Sequence, residues 1–310
     1  MESLNRMATD LVDEAIDFAD ELNVAVRPLE NDATVLDFGV AVPGGIEAGL
    51  LLAEIQTAGL ATVQSTLDTV AGAPLTHVEL SSDHPALALL CAQKAGWEVS
   101  ADGFEGLGAG PARALVAEEE IYQRVGYRDE FDFAVLTVET DQVPDEAVPA
   151  QVADRAGVPE SSVYLPAFSA ASVTGSVQTA ARAAELATFR LAELGYDPLD
   201  VLSVSGKAPV APVADGEETA IARTNDAVAY GGQVHLTVDA DFDRFDEVAS
   251  TAANERGRPF GEIFDDVDWD FGEVAPDLFA PAQVTVDVVG GPTRVVGEVH
   301  DDLLAESFGL

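Results

Sequence analysis

Between Tyr164 and Lys207 the chain reads YLPAFSAASVTGSVQTAARAAELATFRLAELGYDPLDVLSVSGK. A brief strand at Ser162–Leu165 leads into a polar, Gly- and Ser-rich loop. An Ala-rich helix follows from about Ser176 to Leu194, ended by Gly195, and then a strand at Val201–Val204. The middle of the chain is therefore strand, helix, strand. On the helix, Arg182 and Glu185 stand at i and i+3. Residues at that spacing share a face, so a cation and a carboxylate can be aimed at one small ligand. An exposed ion pair at the same spacing, worth about a few tenths of a kcal/mol, is the plain alternative.

Around this centre the apolar spacing predicts an amphipathic helix over residues 3–22, with Met7, Leu11, Ala15, Phe18 and Leu22 in register. Ala33–Phe38 reads as a short strand, Ile46–Ala58 as a helix, and Thr62–Leu67 and Leu75–Leu80 as strands. Pro85–Ala95 reads as a helix behind the capping residues Ser81, Ser82 and Asp83. Phe131–Thr137 reads as a strong strand and Pro149–Ala156 as a short helix. Ala220–Asp239 suggests two strands broken at Gly231 and Gly232, and Phe242–Ala253 a helix. Gln283–Val289 and Arg294–Val299 form a hairpin through GGPT, before a short helix over His300–Leu310. Strands and helices alternate loosely, without a strict βαβ rhythm, so the expected class is α+β with mixed sheets rather than a Rossmann or barrel fold. The Pro- and Gly-rich stretches near 140–150 and 205–215 are the expected crossings between two domains.

Charge narrows the function classes. There are 56 Asp and Glu against 15 Lys and Arg, a formal net charge of -41, yet 47% of the residues are hydrophobic. Such a chain can build a core, and it is not an acidic disordered one. The carboxylates are scattered through every segment, which suits a solvated surface in very high salt. A cytoplasmic protein of an extreme halophile is the expectation. The same field repels phosphate backbones, so nucleic acid is not an expected partner. The N-terminus lacks the basic and apolar regions of a signal peptide, and no 18-residue apolar run exists for a membrane span. Cys91, the only cysteine, lies in an apolar helical context and reads as core.

Several segments carry chemistry. GFEGLGAGPARAL, from Gly103 to Leu115, reads as a Gly-rich loop flowing into a helix. Backbone amides there, with Gly108, Gly110 and Arg113, can hold an anionic tail of a substrate. Tight-turn packing is the alternative, as is a small-molecule kinase using residues 106–110 as a phosphate loop, although the Ser pair of such loops and the Lys and Ser or Thr of a Walker loop are missing. Lys207, one of two lysines, sits just past a predicted strand and is a second anion-binding candidate. Arg223, Thr224, Asn225 and Asp226 lie between apolar runs, either as a turn or lining a cleft that reads a heterocycle. The four histidines are far apart, no HxxxH, HExxH or CxxC occurs, and the DDVDWD run lacks EF-hand spacing, so no metal site is expected.

Taken in order, LGAGPARAL at 107–115, SVTGSVQTAARAAE at 172–185, ARTNDAVAYGG at 222–232, and RPFGEIF with DLFAPAQVTV further on resemble the methenyltetrahydromethanopterin cyclohydrolases. The resemblance covers nearly the whole chain, departing at the acidic surface and at Ala109, where relatives often have Ser. It implies hydrolysis of the methenyl bridge of a reduced pterin, on tetrahydromethanopterin or a folate-type analogue, to the formyl derivative. It also implies two intimately packed domains with the active-site cleft between them, a homo-oligomer, commonly a trimer, and neither metal nor redox cofactor. The family's catalytic Arg and Glu fall on Arg182 and Glu185, with Ser172, Ser176 and Gln178 in the preceding SxxGSxQ segment as substrate-binding candidates. Two other functions compete: a non-catalytic protein that binds a reduced pterin or a nucleotide, and the kinase above.

Overall fold

The computed structural model describes residues 2–253 and 256–310. In chain order its strands are β1 (Ala25–Pro28), β2 (Thr34–Asp37), β3 (Thr62–Val70), β4 (Ala73–Ser82), β5 (Ala95–Ala101), β6 (Phe104–Ala109), β7 (Ala134–Val135), β8 (Thr137–Glu139), β9 (Val163–Phe168), β10 (Val201–Pro209), β11 (Gln233–Val238), β12 (Gln283–Val288) and β13 (Thr293–Gly297). They form two mixed sheets with helices packed on them, an α+β protein as expected.

The chain divides into two compact units, Met1–Thr62 with Ala86–Gln178, and Val63–Pro85 with Thr179–Leu310. The first holds a sheet in the order β1-β2-β9-β8-β6-β5, with β7 beside β9. Trp97, Phe104, Leu136, Val138, Val152 and Leu165 build much of its core. The second holds a sheet in the order β13-β12-β11-β10-β4-β3. Helix Ala183–Glu193 packs on β10 and β11, and helix Glu217–Gly231 packs on β10 and on helices Phe260–Asp266 and Asp301–Phe308. Tyr230, Phe260, Phe264, Leu278 and Leu304 fill that core. Residues 140–150 lie within the first unit and residues 205–215 within the second.

Local chemistry explains the elements. β3 and β4 are joined by Ala71 and Gly72, with φ of 49° and 84°, the left-handed pair that a tight two-residue hairpin requires. The β12–β13 hairpin is antiparallel, with Gln283 opposite Gly297, as the sequence predicts. Four expectations are corrected. Residues 104–109 are a strand paired on both edges, not a loop. The segment Glu217–Gly231 is a helix, and only Gln233–Val238 of the two expected strands forms. In place of a helix over Phe242–Ala253 there are two short 3-10 turns, Phe245–Glu247 and Ser250–Ala252. The long helix is two, Val173–Ala180 and Ala183–Glu193.

Candidate active site

Ser172 starts the first of these two helices. Its carbonyl accepts from the Ser176 amide at 3.1 Å and its Oγ accepts from the Gly175 amide at 2.9 Å, which makes it the helix cap. Its hydroxyl donates to the Ser169 carbonyl at 2.7 Å. The helix closes at Ala180, and Arg182, at φ -88° and ψ -3°, becomes the cap residue of the next one. Glu185 is then the third residue of a helix, where the positive end of the backbone dipole favours a carboxylate.

Gly206 on β10 holds this turn in place. A Cβ on Gly206 would stand 2.7 Å from the Ala184 amide nitrogen and 2.9 Å from its Cβ, so only glycine lets the strand approach. The glycine that precedes Lys207 therefore serves helix–strand packing.

Arg182 and Glu185 meet. Arg182 Nε and Nη2 donate to Glu185 Oε2 at 3.0 and 2.8 Å. The Glu185 side chain is 1% exposed and that of Arg182 19%. Glu185 Oε1 is buried and has no hydrogen-bond partner among the described residues. A buried acceptor without a donor costs about 1–3 kcal/mol, more for a charged group, and such an atom calls for something to fill it. The exposed surface pair is thereby excluded: one carboxylate oxygen is held by the guanidinium, and the other is buried with no donor among the described residues.

The remaining residues fall in separate places. Gly108 lies in β6, between Trp97 and Leu136, and Gly110 follows the strand at φ 111°. The β6 amides belong to ladders with β5 and β8, so the phosphate-loop reading of residues 106–110 is corrected. Arg113 also proves structural. Its Nε and Nη2 hold both oxygens of Glu119 at 2.7–2.9 Å, and its Nη1 reaches the carbonyls of Lys94 (2.5 Å) and Ala92 (3.3 Å). These contacts use all five guanidinium donors and leave none for an anion. Burial raises the Glu119 carboxyl, but Arg113 and Lys94 outweigh it and hold the pKa below the ordinary value.

Lys207 lies inside β10 rather than beyond it, with Nζ 2.7 Å from Asp68 Oδ2. The Lys207 hydrogen bond, the Thr69 amide and the Lys207 charge pull the Asp68 pKa down. Asn225 and Asp226 sit on helix Glu217–Gly231. Asn225 Nδ2 donates to the Ile221 carbonyl one turn back, at 2.8 Å. Asp226 is 1% exposed and accepts from the Phe260 amide at 2.9 Å and the Ser307 hydroxyl at 2.6 Å. It borders a cavity of about 360 Å³ lined also by Arg223, Trp269 and Glu306. Burial pushes its pKa up to about 7. Cys91 is buried and its thiol is pushed up to about 12 by desolvation, which makes it inert.

Gln178 is 2% exposed and donates through Nε2 to Gln56 Oε1. Gln56 donates to Thr137 Oγ1 at 2.8 Å, and Thr137 to the Ala109 carbonyl at 3.1 Å. Sequence reasoning missed Gln56 and Thr137. One is a lone amide at a helix end and the other a lone hydroxyl at the start of a strand, so neither carries a spacing signal. Among the described residues no group of three or more His, Cys, Asp and Glu could hold a metal ion, and no helix is long and apolar enough to cross a membrane.

A family model described as Cyclohydrolase (MCH) matches residues 3–308. The methenyltetrahydromethanopterin cyclohydrolase of Halobacterium salinarum (strain ATCC 29341 / DSM 671 / R1) is 60% identical over 310 residues, covering 100% of both chains. That of Methanocella arvoryzae is 39% identical over 315 residues, covering 100% of this chain and 99% of the relative. That of Methanothermobacter marburgensis is 38% identical over 322 residues, covering 100% of both. With its full length matched in this way, the chain belongs to the methenyltetrahydromethanopterin cyclohydrolase family.

Proposed function

We propose that this chain hydrolyses the methenyl bridge of methenyl-tetrahydromethanopterin, or of a folate-type analogue, to the formyl derivative, with Glu185 as the base and Arg182 as its positioner. The observation that carries this reading is the unpartnered, buried Oε1 of Glu185 beside an Oε2 held by Arg182. The methenyl carbon joins two nitrogens as an amidinium cation, so it is already electrophilic, and the step lacks only a good nucleophile. A carboxylate within hydrogen-bond reach of a water takes its proton as the oxygen attacks. The tetrahedral adduct then breaks one C–N bond. The freed nitrogen takes a proton, the carbon keeps the oxygen as a formyl group, and one proton is released overall. Arg182 stays protonated and cannot serve as the base. Its two donors fix the carboxylate so that the free oxygen needs no reorientation in the transition state.

Ser176, Gln178 and Lys207 are our candidates for contact with the pterin, and Ser172 supports them by capping their helix. The reaction as written needs neither metal nor redox cofactor. By resemblance the enzyme is a cytoplasmic homo-oligomer, a trimer in our reading, and its -41 charge suits a halophilic cell.

The test mixes the protein, in molar salt, with chemically prepared methenyl derivatives of tetrahydrofolate and tetrahydromethanopterin. Accelerated loss of the methenyl absorbance is expected, and the ratio of kcat/KM values identifies the carrier. Stoichiometric binding without that loss supports a pterin-binding protein instead. No acceleration with either compound overturns the reading.

A further inference from the structure

The buried relay from Gln178 to Ala109 fixes more than a side-chain position; it fixes the direction of every proton along it. The Ala109 carbonyl can only accept, so Thr137 donates to it. Thr137 Oγ1 is then left to accept, and Gln56 must present Nε2 to it. That turns Gln56 Oε1 toward Gln178, which must donate through its own Nε2. The amide of Gln178 is thereby locked with Oε1 at the open end of the chain, and among the described residues nothing donates to that oxygen. Gln56 and Thr137 are 0% exposed and Gln178 2%, so the relay lies within the core and only its outer end can meet a ligand or water that supplies a donor.

We infer that Gln56 and Thr137 are positioning residues that hold the Gln178 amide with its carbonyl oxygen outward, to accept a hydrogen bond from the exocyclic 2-amino group of the pterin. This inference rests on the pterin reading above. The nitrogen of Gln178 is committed to Gln56, so its amide does not offer the paired donor and acceptor that match the ring's N3–H and 4-oxo edge. A lone fixed acceptor suits an amino group. Because the orientation is set before binding, no flip has to be ordered when the substrate arrives. A ring lacking the donor leaves the acceptor unpaired, and sites of that kind reject such analogues strongly.

The experiment begins with wild-type enzyme and methenyl-tetrahydromethanopterin in molar salt, where the absence of both turnover and binding removes the functional reading and the relay's ligand with it. With turnover established, KM, kcat and thermal midpoint are measured for Gln56→Leu, Thr137→Val and Gln56→Glu. The first two free the Gln178 amide and are expected to raise KM by about 5–20-fold with kcat within about threefold, the pattern of a lost uniform binding contact. A neutral carboxylic acid at position 56 donates to Thr137 and accepts from Gln178 as the amide does, so Gln56→Glu is expected to keep KM within about twofold of wild type. Its midpoint should nevertheless fall below that of Gln56→Leu, because a buried ionisable group destabilises more than an apolar one. A merely structural role makes KM follow the midpoint instead, and that order, or an unchanged KM in Gln56→Leu and Thr137→Val, overturns the inference. If these variants do not fold, wild-type enzyme decides. A methenyl analogue with the 2-amino group replaced by methyl is expected to bind at least about tenfold more weakly, and equal affinity overturns the inference.

Discussion

Arg182 places Nε and Nη2 on a single oxygen of Glu185, and the other, Oε1, is buried without a donor among the described residues. A pair built for stability uses both oxygens, as Arg113 does with Glu119. The asymmetry supports the proposal that Oε1 is the working atom. Glu185→Gln keeps an oxygen for Arg182 and removes the proposed base, so turnover should fall by about 10²–10⁴-fold with an unchanged fold. Chromophore loss and the thermal midpoint check this together. Near-normal kcat would move the base elsewhere, with Asp226 the next carboxylate to test.

Gly206 sets where this pair stands. Gly206→Ala puts a methyl group 2.7 Å from the Ala184 amide nitrogen, so β10 or the start of helix Ala183–Glu193 must shift. Overpacking of this kind costs about 1–3 kcal/mol. We expect kcat to drop more than KM rises, because the displaced residues are Arg182 and Glu185. A variant with lower stability and unchanged kcat would show that the approach of β10 serves packing alone.

How much of this could be read from the sequence depends on whether the signal is local. The Arg182–Glu185 spacing, the β12–β13 hairpin and the class of fold were legible, since each rests on neighbours in the chain. The break between Ala180 and Ala183 was not, because Ala181 and Arg182 are ordinary helix residues and carry no breaker. Helix Glu217–Gly231 looked like strand because it is buried on several sides: Ala220, Ala222, Thr224 and Asp226–Gly231 are all covered, which blurs the helical period. Gly106 looked like loop, yet its missing side chain makes room for a neighbouring strand, since a Cβ there would stand 2.6 Å from Val138 Cγ1. Arg113 looked like a ligand residue because its partner Glu119 lies in the next turn of chain, where no pattern announces the pairing.

Arg113→Met should test the structural role that replaces the anion-binding one. Removing one partner of a buried pair typically costs about 3–5 kcal/mol, and Glu119 keeps only Lys94 as its cation. The thermal midpoint should fall while KM of the surviving enzyme stays within about twofold, since no uniform binding contact is lost. A large rise in KM at unchanged stability would restore Arg113 to the substrate.

Asp226 predicts a dependence on pH. Its pKa rises from 3.8 in the unfolded chain to about 7, first because of burial and with a smaller push from Glu306, while Ser307 and the Phe260 amide pull the other way. The folded state therefore binds the proton more tightly, and stability falls as pH climbs through that window. The contribution is complete below the unfolded value and gone above the folded one, and a shift of this size is worth a few kcal/mol as an order of magnitude. Asp226→Asn still accepts from Phe260, donates to Ser307 and cannot ionise. Above pH 7 its midpoint should exceed that of wild type by several degrees, closing toward zero near pH 4. A gap that does not change with pH would refute the assignment.

Salt gives the last test. The 15 basic side chains cannot pair with 56 acidic ones, and even complete pairing leaves 41 carboxylates repelling one another across the surface. That repulsion is screened within about 3 Å at 1 M salt but reaches about 10 Å at 0.1 M. The pairs that do form, such as Lys207 with Asp68 and Arg258 with Asp266, are partly exposed and give little in compensation. Dilution from 3 M to 0.1 M KCl should therefore lower the unfolding midpoint steadily. Any assembly of like-charged copies should come apart over the same range, because association brings two acidic surfaces within one Debye length. Thermal unfolding and sedimentation across the series measure both. A midpoint and an assembly size that ignore salt would mean that bound cations or local pairing neutralise the surface, and the case for a halophilic setting would lose its physical support.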